Sequence, residues 1–138
     1  MAYKTNVTVR FGDVDKAGIV YYPVILHYLH VAQEDFFTDY VRVPYHRMLE
    51  EERLGFPAVS DSTEFIKPIK YGDILEIMVY VSHVGKSSIT FKFRIHGKES
   101  RELLVRSSQT KVAVNMDTWE PVQIPEKYHA IFSRCHPE

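Results

Sequence analysis

Residues 11–23 read FGDVDKAGIVYYP: two acids two positions apart, a glycine, an apolar pair, two tyrosines and a proline. The sequence changes its period on either side of this stretch. Before it, Lys4 to Arg10 alternates, with Thr5, Val7 and Val9 set against Asn6, Thr8 and Arg10, which suits a strand with one face on a core. After it, Pro23 to about Tyr40 contains no glycine or further proline. Tyr22, Ile25, Leu26, Leu29, Ala32, Phe36 and Tyr40 fall there at helical spacing, so one long helix is expected with Pro23 in its first turn. The acidic stretch is therefore the joint between a strand and the start of a buried helix.

Further along, Pro44 to Leu54 reads as a second, more exposed helix stopped by Gly55. Four strands are then expected, at Ala58 to Lys67, Ile74 to Val84, Ser88 to His96 and Glu102 to Asn115, with turns at KPIKYGD, Gly85-Lys86 and HGKES. NMDTWEP ends the last strand and Pro125 opens a short terminal helix. Short connections imply antiparallel neighbours, and the apolar face of such a sheet needs a cover that only the long helix can supply. The expected fold is α+β: a curved antiparallel sheet wrapped around one central helix.

The 138 residues have the size of one domain, and no internal repeat or low-complexity linker divides them, so 1–138 is read as a single domain. Seventeen Lys and Arg against eighteen Asp and Glu give a formal charge of −1, which excludes general attraction to nucleic acid or to an acidic membrane. No apolar run is long enough to span a bilayer and the start MAYKTNVTVR is not a signal peptide, so a cytoplasmic protein is expected. The single cysteine, Cys135, rules out an internal disulfide.

Asp13 and Asp15 stand where unpaired backbone N–H groups and the helix dipole favour negative charge, and the plain reading is that one of them caps the helix. Gly12 and Gly18, which bracket them, allow a tight turn and close backbone approach to a ligand. If the amides near Tyr21 and Tyr22 are free, they can hold a carbonyl oxygen and stabilise an oxyanion beside the acid, which makes a hydrolytic pair.

The run F-G-D-x-D-x-x-G-I-V-Y-Y-P closely resembles the active-site turn of hotdog-fold acyl-CoA thioesterases, in the branch typified by 4-hydroxybenzoyl-CoA thioesterase. The likeness extends over nearly the whole chain in element order, including KPIKYGD and IPEKY. It implies hydrolysis of an acyl-CoA to a free acid and CoA. Asp15 would be the catalytic acid, as nucleophile or general base, the backbone amide of Tyr22 would polarise the thioester carbonyl, and Asp13 would hold the turn. Gly18, Ile19, Val20 and Tyr21 would line the substrate, and Lys86, in the V-G-K-S-S turn, would meet the CoA phosphates. The resemblance further implies a homodimer joined edge to edge, or a tetramer of such dimers, with no cofactor beyond the CoA of the substrate. Where related members often carry Glu and Arg on the central helix, this chain has His30 and Gln33.

Other groups have plainer explanations. His27, His30 and Glu34 are read as paired or solvated polar residues and no metal site is expected; the helical aromatics are read first as core. Lys92, Arg94, Arg106 and Lys111 are read as charges on a solvated strand face. Two rivals remain open, a hotdog hydratase or dehydratase and an acyl-CoA sensing module without turnover.

Overall fold

The computed structural model describes residues 1–137. Strand β1 (Tyr3–Thr8) leads through a single turn at Phe11–Asp13 into helix α1 (Tyr22–Phe36). Helix α2 (Tyr45–Arg47) and strand β2 (Leu54–Gly55) follow, then β3 (Ala58–Phe65), β4 (Ile74–Val84), β5 (Ser88–Gly97), β6 (Leu103–Val112), β7 (Val114–Asn115) and α3 (Glu126–Phe132). Five strands form one antiparallel sheet in the order β1-β4-β5-β6-β3, and β2 pairs with β7 in a separate ribbon.

Alternation puts Leu75, Ile77, Val79 and Val81 of β4 and Ile89, Phe91, Phe93 and Ile95 of β5 on one buried face. The stripe Ile25, Leu29, Ala32 and Phe36 of α1 is buried in the same core. Phe36 is fully enclosed, its ring meeting those of Phe91, Phe37 and Phe132. One flank of α1 is tied to β1, where the Thr5 hydroxyl donates to Asp35 at 2.9 Å and Tyr3 donates to Asp39. Elsewhere on α1, His30 feels the charge of Lys111 on β6, and Gln33 is buried.

Four expectations need correction. The α-helix stops at Phe36, and a wide turn, Phe37–Val41, continues to Arg42, whose left-handed φ of 71° ends it. The second helix is only three residues long before another wide turn, Met48–Glu52, and the chain reverses at Arg53 (φ 51°) rather than at Gly55. The last long strand breaks at Ala113, because Val114 and Asn115 turn away to pair with Gly55 and Leu54. Most consequentially, β3 and β4 do not form a hairpin. β3 lies at one edge beside β6, β1 takes the place next to β4, and residues 66–73 cross from one side of the sheet to the other.

That crossover passes the start of α1. The Val20 amide donates to the Ile69 carbonyl at 2.8 Å, Ile19 forms a bridge with Lys70, and Ile69 is buried. Local pattern cannot distinguish a hairpin from a crossover. The choice is made by the long helix after β1, which lets β1 return beside β4 and leaves β3 the far edge.

Candidate active site

Asp13 and Asp15 have separate tasks. The Asp13 carboxylate accepts the Arg10 amide at 3.0 Å and the Tyr28 hydroxyl at 2.7 Å, fastening the turn to the first half of α1. These bonds, the backbone one foremost, hold its carboxyl below the ordinary aspartate range, whereas burial and then the Asp13 charge keep the Tyr28 phenol protonated well above neutrality. Neither acid caps α1. Its N-cap is Tyr21, with no side-chain cap bond.

Asp15 opens a tight reversal. Its amide donates to the Ile19 carbonyl at 2.9 Å, and its carbonyl accepts the Gly18 amide at 3.0 Å. Gly18 sits at φ 83°, in the left-handed region where a Cβ is disfavoured. One carboxylate oxygen of Asp15 accepts the Ala17 amide at 2.8 Å, and no cation pairs with the group among the described residues. The turn then bridges back, Val14 to Val20, and delivers Tyr21 and Tyr22 to the helix start.

At that start, proline at position 23 has no N–H to donate, and the Val24 and Ile25 amides are taken by the Tyr21 carbonyl at 2.9 and 3.3 Å. The Tyr22 amide has no acceptor among the described residues. It stands at the positive end of a 15-residue helix, where orphan N–H groups and the dipole act together on a nearby negative charge.

Asp15 and Tyr22 line one cleft of about 640 Å³, together with Ile19, Val20, Tyr21, Ile25, Phe65, Ile66, Lys67, Pro68 and Ile69. Its walls are mostly apolar, and the Tyr22 ring meets Phe65 edge to face with centroids 6.1 Å apart. An acid, a free backbone donor and an apolar wall converging in one recess can position a carbonyl, polarise its oxygen and attack its carbon.

Asp15, Ile19, Val20, Tyr21 and Tyr22 are thus brought together, and Gly18 shapes the turn without lining the cleft. Lys86 is not among them. It sits in the β4–β5 turn at the far end of an 11-residue strand from Ile74, on the order of 30 Å away along the sheet. The sequence reading missed the opposite wall, Phe65 to Ile69, because KPIKYGD reads as a turn and only the crossover carries it to the helix start.

Among the described residues no cluster of three or more His, Cys, Asp or Glu could hold a metal ion. His30 faces Glu34 one turn on, at 3.2 Å, and burial holds its pKa below the ordinary imidazole value. Of the four strand cations, Lys111 departs from expectation. It follows Val105, Ser107 and Gln109 on the inner face of β6 and is only 5% exposed, whereas Lys92, Arg94 and Arg106 belong to the outer face. Alternation read from Arg106 puts residue 111 on the opposite side. No described helix is long and apolar enough to cross a membrane.

The sheet wrapped on one helix, with a cleft at the helix start, is the hotdog architecture, and comparison with known proteins supplies the class. The model of the thioesterase-like superfamily matches residues 9–132, and the chain belongs to that family. The hotdog fold and the thioester-hydrolase class expected from residues 11–23 are those of the family.

Two curated relatives are each 28% identical over 130 residues, 91% of this chain. One is 1,4-dihydroxy-2-naphthoyl-CoA hydrolase of Picosynechococcus sp., covered over 88% of its length; the other is acyl-CoA thioesterase YbgC of Haemophilus influenzae, covered over 90%. A solved structure of a 4-hydroxybenzoyl-CoA thioesterase variant with bound 4-hydroxybenzoyl-CoA has the same fold. It aligns with a TM-score of 0.86 at 22% identity, over 95% of this chain and 98% of that one.

Proposed function

We propose that the protein hydrolyses acyl-CoA thioesters, with Asp15 as the catalytic carboxylate and the Tyr22 amide as the donor that polarises the carbonyl. The observation that carries this is the convergence of an uncompensated carboxylate and an acceptor-less helix-start amide on one apolar-walled cleft. A thioester carbonyl is activated already and the thiolate leaves readily, so a single carboxylate beside a preorganised dipole suffices. Asp15 either attacks the carbonyl carbon to form an anhydride or removes a proton from an attacking water. In both routes the carbonyl oxygen gains negative charge facing the Tyr22 N–H. The reaction asks for no cofactor beyond the CoA of the substrate.

The acyl group would lie along Ile19, Val20, Tyr21 and Tyr22, with Phe65 and Ile66 opposite. The aromatic edges of Tyr22 and Phe65 suit a flat acyl group, in keeping with the relatives named for naphthoyl and benzoyl thioesters. For the assembly, an edge-to-edge dimer is the reading the sheet supports. β3 is an open, exposed edge, and pairing it antiparallel with its copy closes it. Phe65 ends β3 at the cleft, while Ala58 starts it level with Lys111 and Ile89, beside the Lys86 turn. A two-fold pairing would set the Ala58 end of one copy against the Phe65 end of the other. Lys86 of a second copy would then approach the cleft mouth, where CoA phosphates emerge.

The test is Asp15→Asn, which keeps size and hydrogen bonding but removes the base. Expected is a fall in kcat of roughly 10²- to 10⁴-fold on an acyl-CoA that the wild type hydrolyses, with substrate binding retained. An unchanged kcat would remove Asp15 from the mechanism, and a wild type that binds acyl-CoAs without releasing thiol from any would mark a sensing module instead.

A further inference from the structure

We infer that the outer face of the sheet holds an anion site, in which Lys92, Arg94 and Arg106 receive a phosphoryl group. Its cavity shares no lining residue with the catalytic cleft, so it stands independently of the thioesterase reading.

Strand register brings the cations together. On the outer face Arg94 of β5 is directly opposite Arg106 of β6, and Lys92, two residues away on β5, is opposite Ser108. Tyr80 of β4 pairs with Lys92 on the other side, while β3 sets Ser62 beside Ser108 and Glu64 beside Arg106. Like charges directly opposite in an antiparallel pair destabilise the sheet, and here a lysine stands diagonal to two facing arginines. A negative group between them turns that repulsion into attraction.

The neighbouring part of the same face shows how the chain answers such a group from within. Glu76 of β4, its side chain only 16% exposed, stands among Lys4, Lys98 and Arg101 at 3.9, 4.0 and 4.0 Å. Lys92, Arg94 and Arg106 instead line a cavity of about 240 Å³. The acid on its wall, Glu64, accepts two nitrogens of Arg106, at 3.2 and 2.9 Å, but both side chains are more than half exposed, so the pair contributes little. Arg94 directs one nitrogen to the Tyr80 hydroxyl at 3.4 Å, its guanidinium 5.5 Å from the centre of that ring. It has no ion pair among the described residues, and the Lys92 ammonium has neither ion pair nor hydrogen bond among them. The hydroxyls of Ser62 and Ser108, on the same wall, also have no hydrogen-bond partner among the described residues.

This donor set selects the ligand. Guanidinium and ammonium groups offer only donors, and the planar fork of arginine matches the spaced oxygens of a phosphate. Serine hydroxyls can donate to the same oxygens. The cavity is smaller than the roughly 300–1,000 Å³ of a site that encloses a drug-sized molecule, so it suits a phosphoryl group whose remainder, if any, stays outside. Inorganic phosphate and the phosphoryl end of a nucleotide share that chemistry. With a formal charge of −1 the whole chain does not attract anions in general, so the attraction is local to this grid of side chains.

The experiment titrates inorganic phosphate, and separately adenosine 3′,5′-bisphosphate, into the protein by calorimetry at constant ionic strength, with sodium chloride as reference. Expected is saturable binding of at least one of them to the wild type with a Kd of about 1 mM or tighter. Binding should weaken at least about tenfold in Arg94→Gln and in Lys92→Gln, as befits loss of a charge-assisted hydrogen bond. Glu64→Gln, which removes the one carboxylate on the wall, should bind tighter by about threefold. Binding of phosphate alone assigns the site to the free ion, and binding of the bisphosphate with the same dependence on Arg94 assigns it to a nucleotide; either supports the inference. A wild type that responds to neither anion more than to chloride overturns it, and that measurement needs no variant to fold. Equal affinity in the wild type and all three variants also overturns it, because the anion is then held elsewhere.

Discussion

Replacing Tyr28 by Phe removes one oxygen and leaves the ring in place, which isolates the bond that fastens the acidic turn to the helix. Tyr28 is 4% exposed, and its hydroxyl donates to Asp13 at 2.7 Å. A hydrogen bond to a charged acceptor contributes about 1.5–3 kcal/mol, but Asp13 is half-exposed and water can replace the lost donor, so a net loss of about 1–2 kcal/mol is expected. For a chain of this length that lowers Tm by roughly 3–8 °C.

The pH dependence gives the loss a signature. Asp13 has a depressed pKa in the folded protein, so the stabilisation tied to its charge is complete above the unfolded aspartate value of about 3.9 and disappears as pH falls through the lower folded value. Tyr28 stays neutral across that range, because burial and the neighbouring carboxylate push its own pKa up. Thermal melts followed by circular dichroism should therefore show the full gap between wild type and Tyr28→Phe at pH 7 and a smaller gap below about pH 4. Asp15 is two residues beyond Asp13 in the same turn, so a several-fold fall in kcat should accompany the loss of stability. A gap of equal size at pH 7 and pH 3, or no gap at pH 7, would refute the tether.

Two further substitutions probe the core and the turn. Phe36→Ala leaves a cavity among Phe37, Phe91 and Phe132 and should cost about 3–5 kcal/mol, read as a lower urea midpoint with unchanged slope. Gly18→Ala meets open space, since nothing lies within 4 Å of the added Cβ, so its cost is purely that of the left-handed backbone, about 1–2 kcal/mol. Urea titration should show that loss, and a neutral result would mean that the turn relaxes to another conformation.

The elements were legible wherever a period ran unbroken. The alternation of β4 and β5 and the helical stripe from Ile25 to Phe36 follow from spacing alone, because each buries one face. The acidic turn was legible for a different reason: two glycines, two acids and a proline at fixed offsets constrain the backbone to a tight reversal and a helix start, whatever surrounds them. Boundaries were less legible. Arg42 and Arg53 end their turns in a conformation more usual for glycine, and nothing in their side chains announces it.

Local sequence thus determined the sheet strands, the covering helix, and the tight turn that carries Asp15 to the helix start, because those depend on residues close together in the chain. Tertiary structure decided that residues 66–73 cross the sheet rather than turn back, and so supplied Phe65 to Ile69 as the second wall of the cleft. It also set Lys111 inside the sheet, while Arg106 remained outside, and left Lys86 far from Asp15 within one chain. Strand order and the choice of inner face are settled by how separate segments share one core, a competition that no short stretch of sequence records.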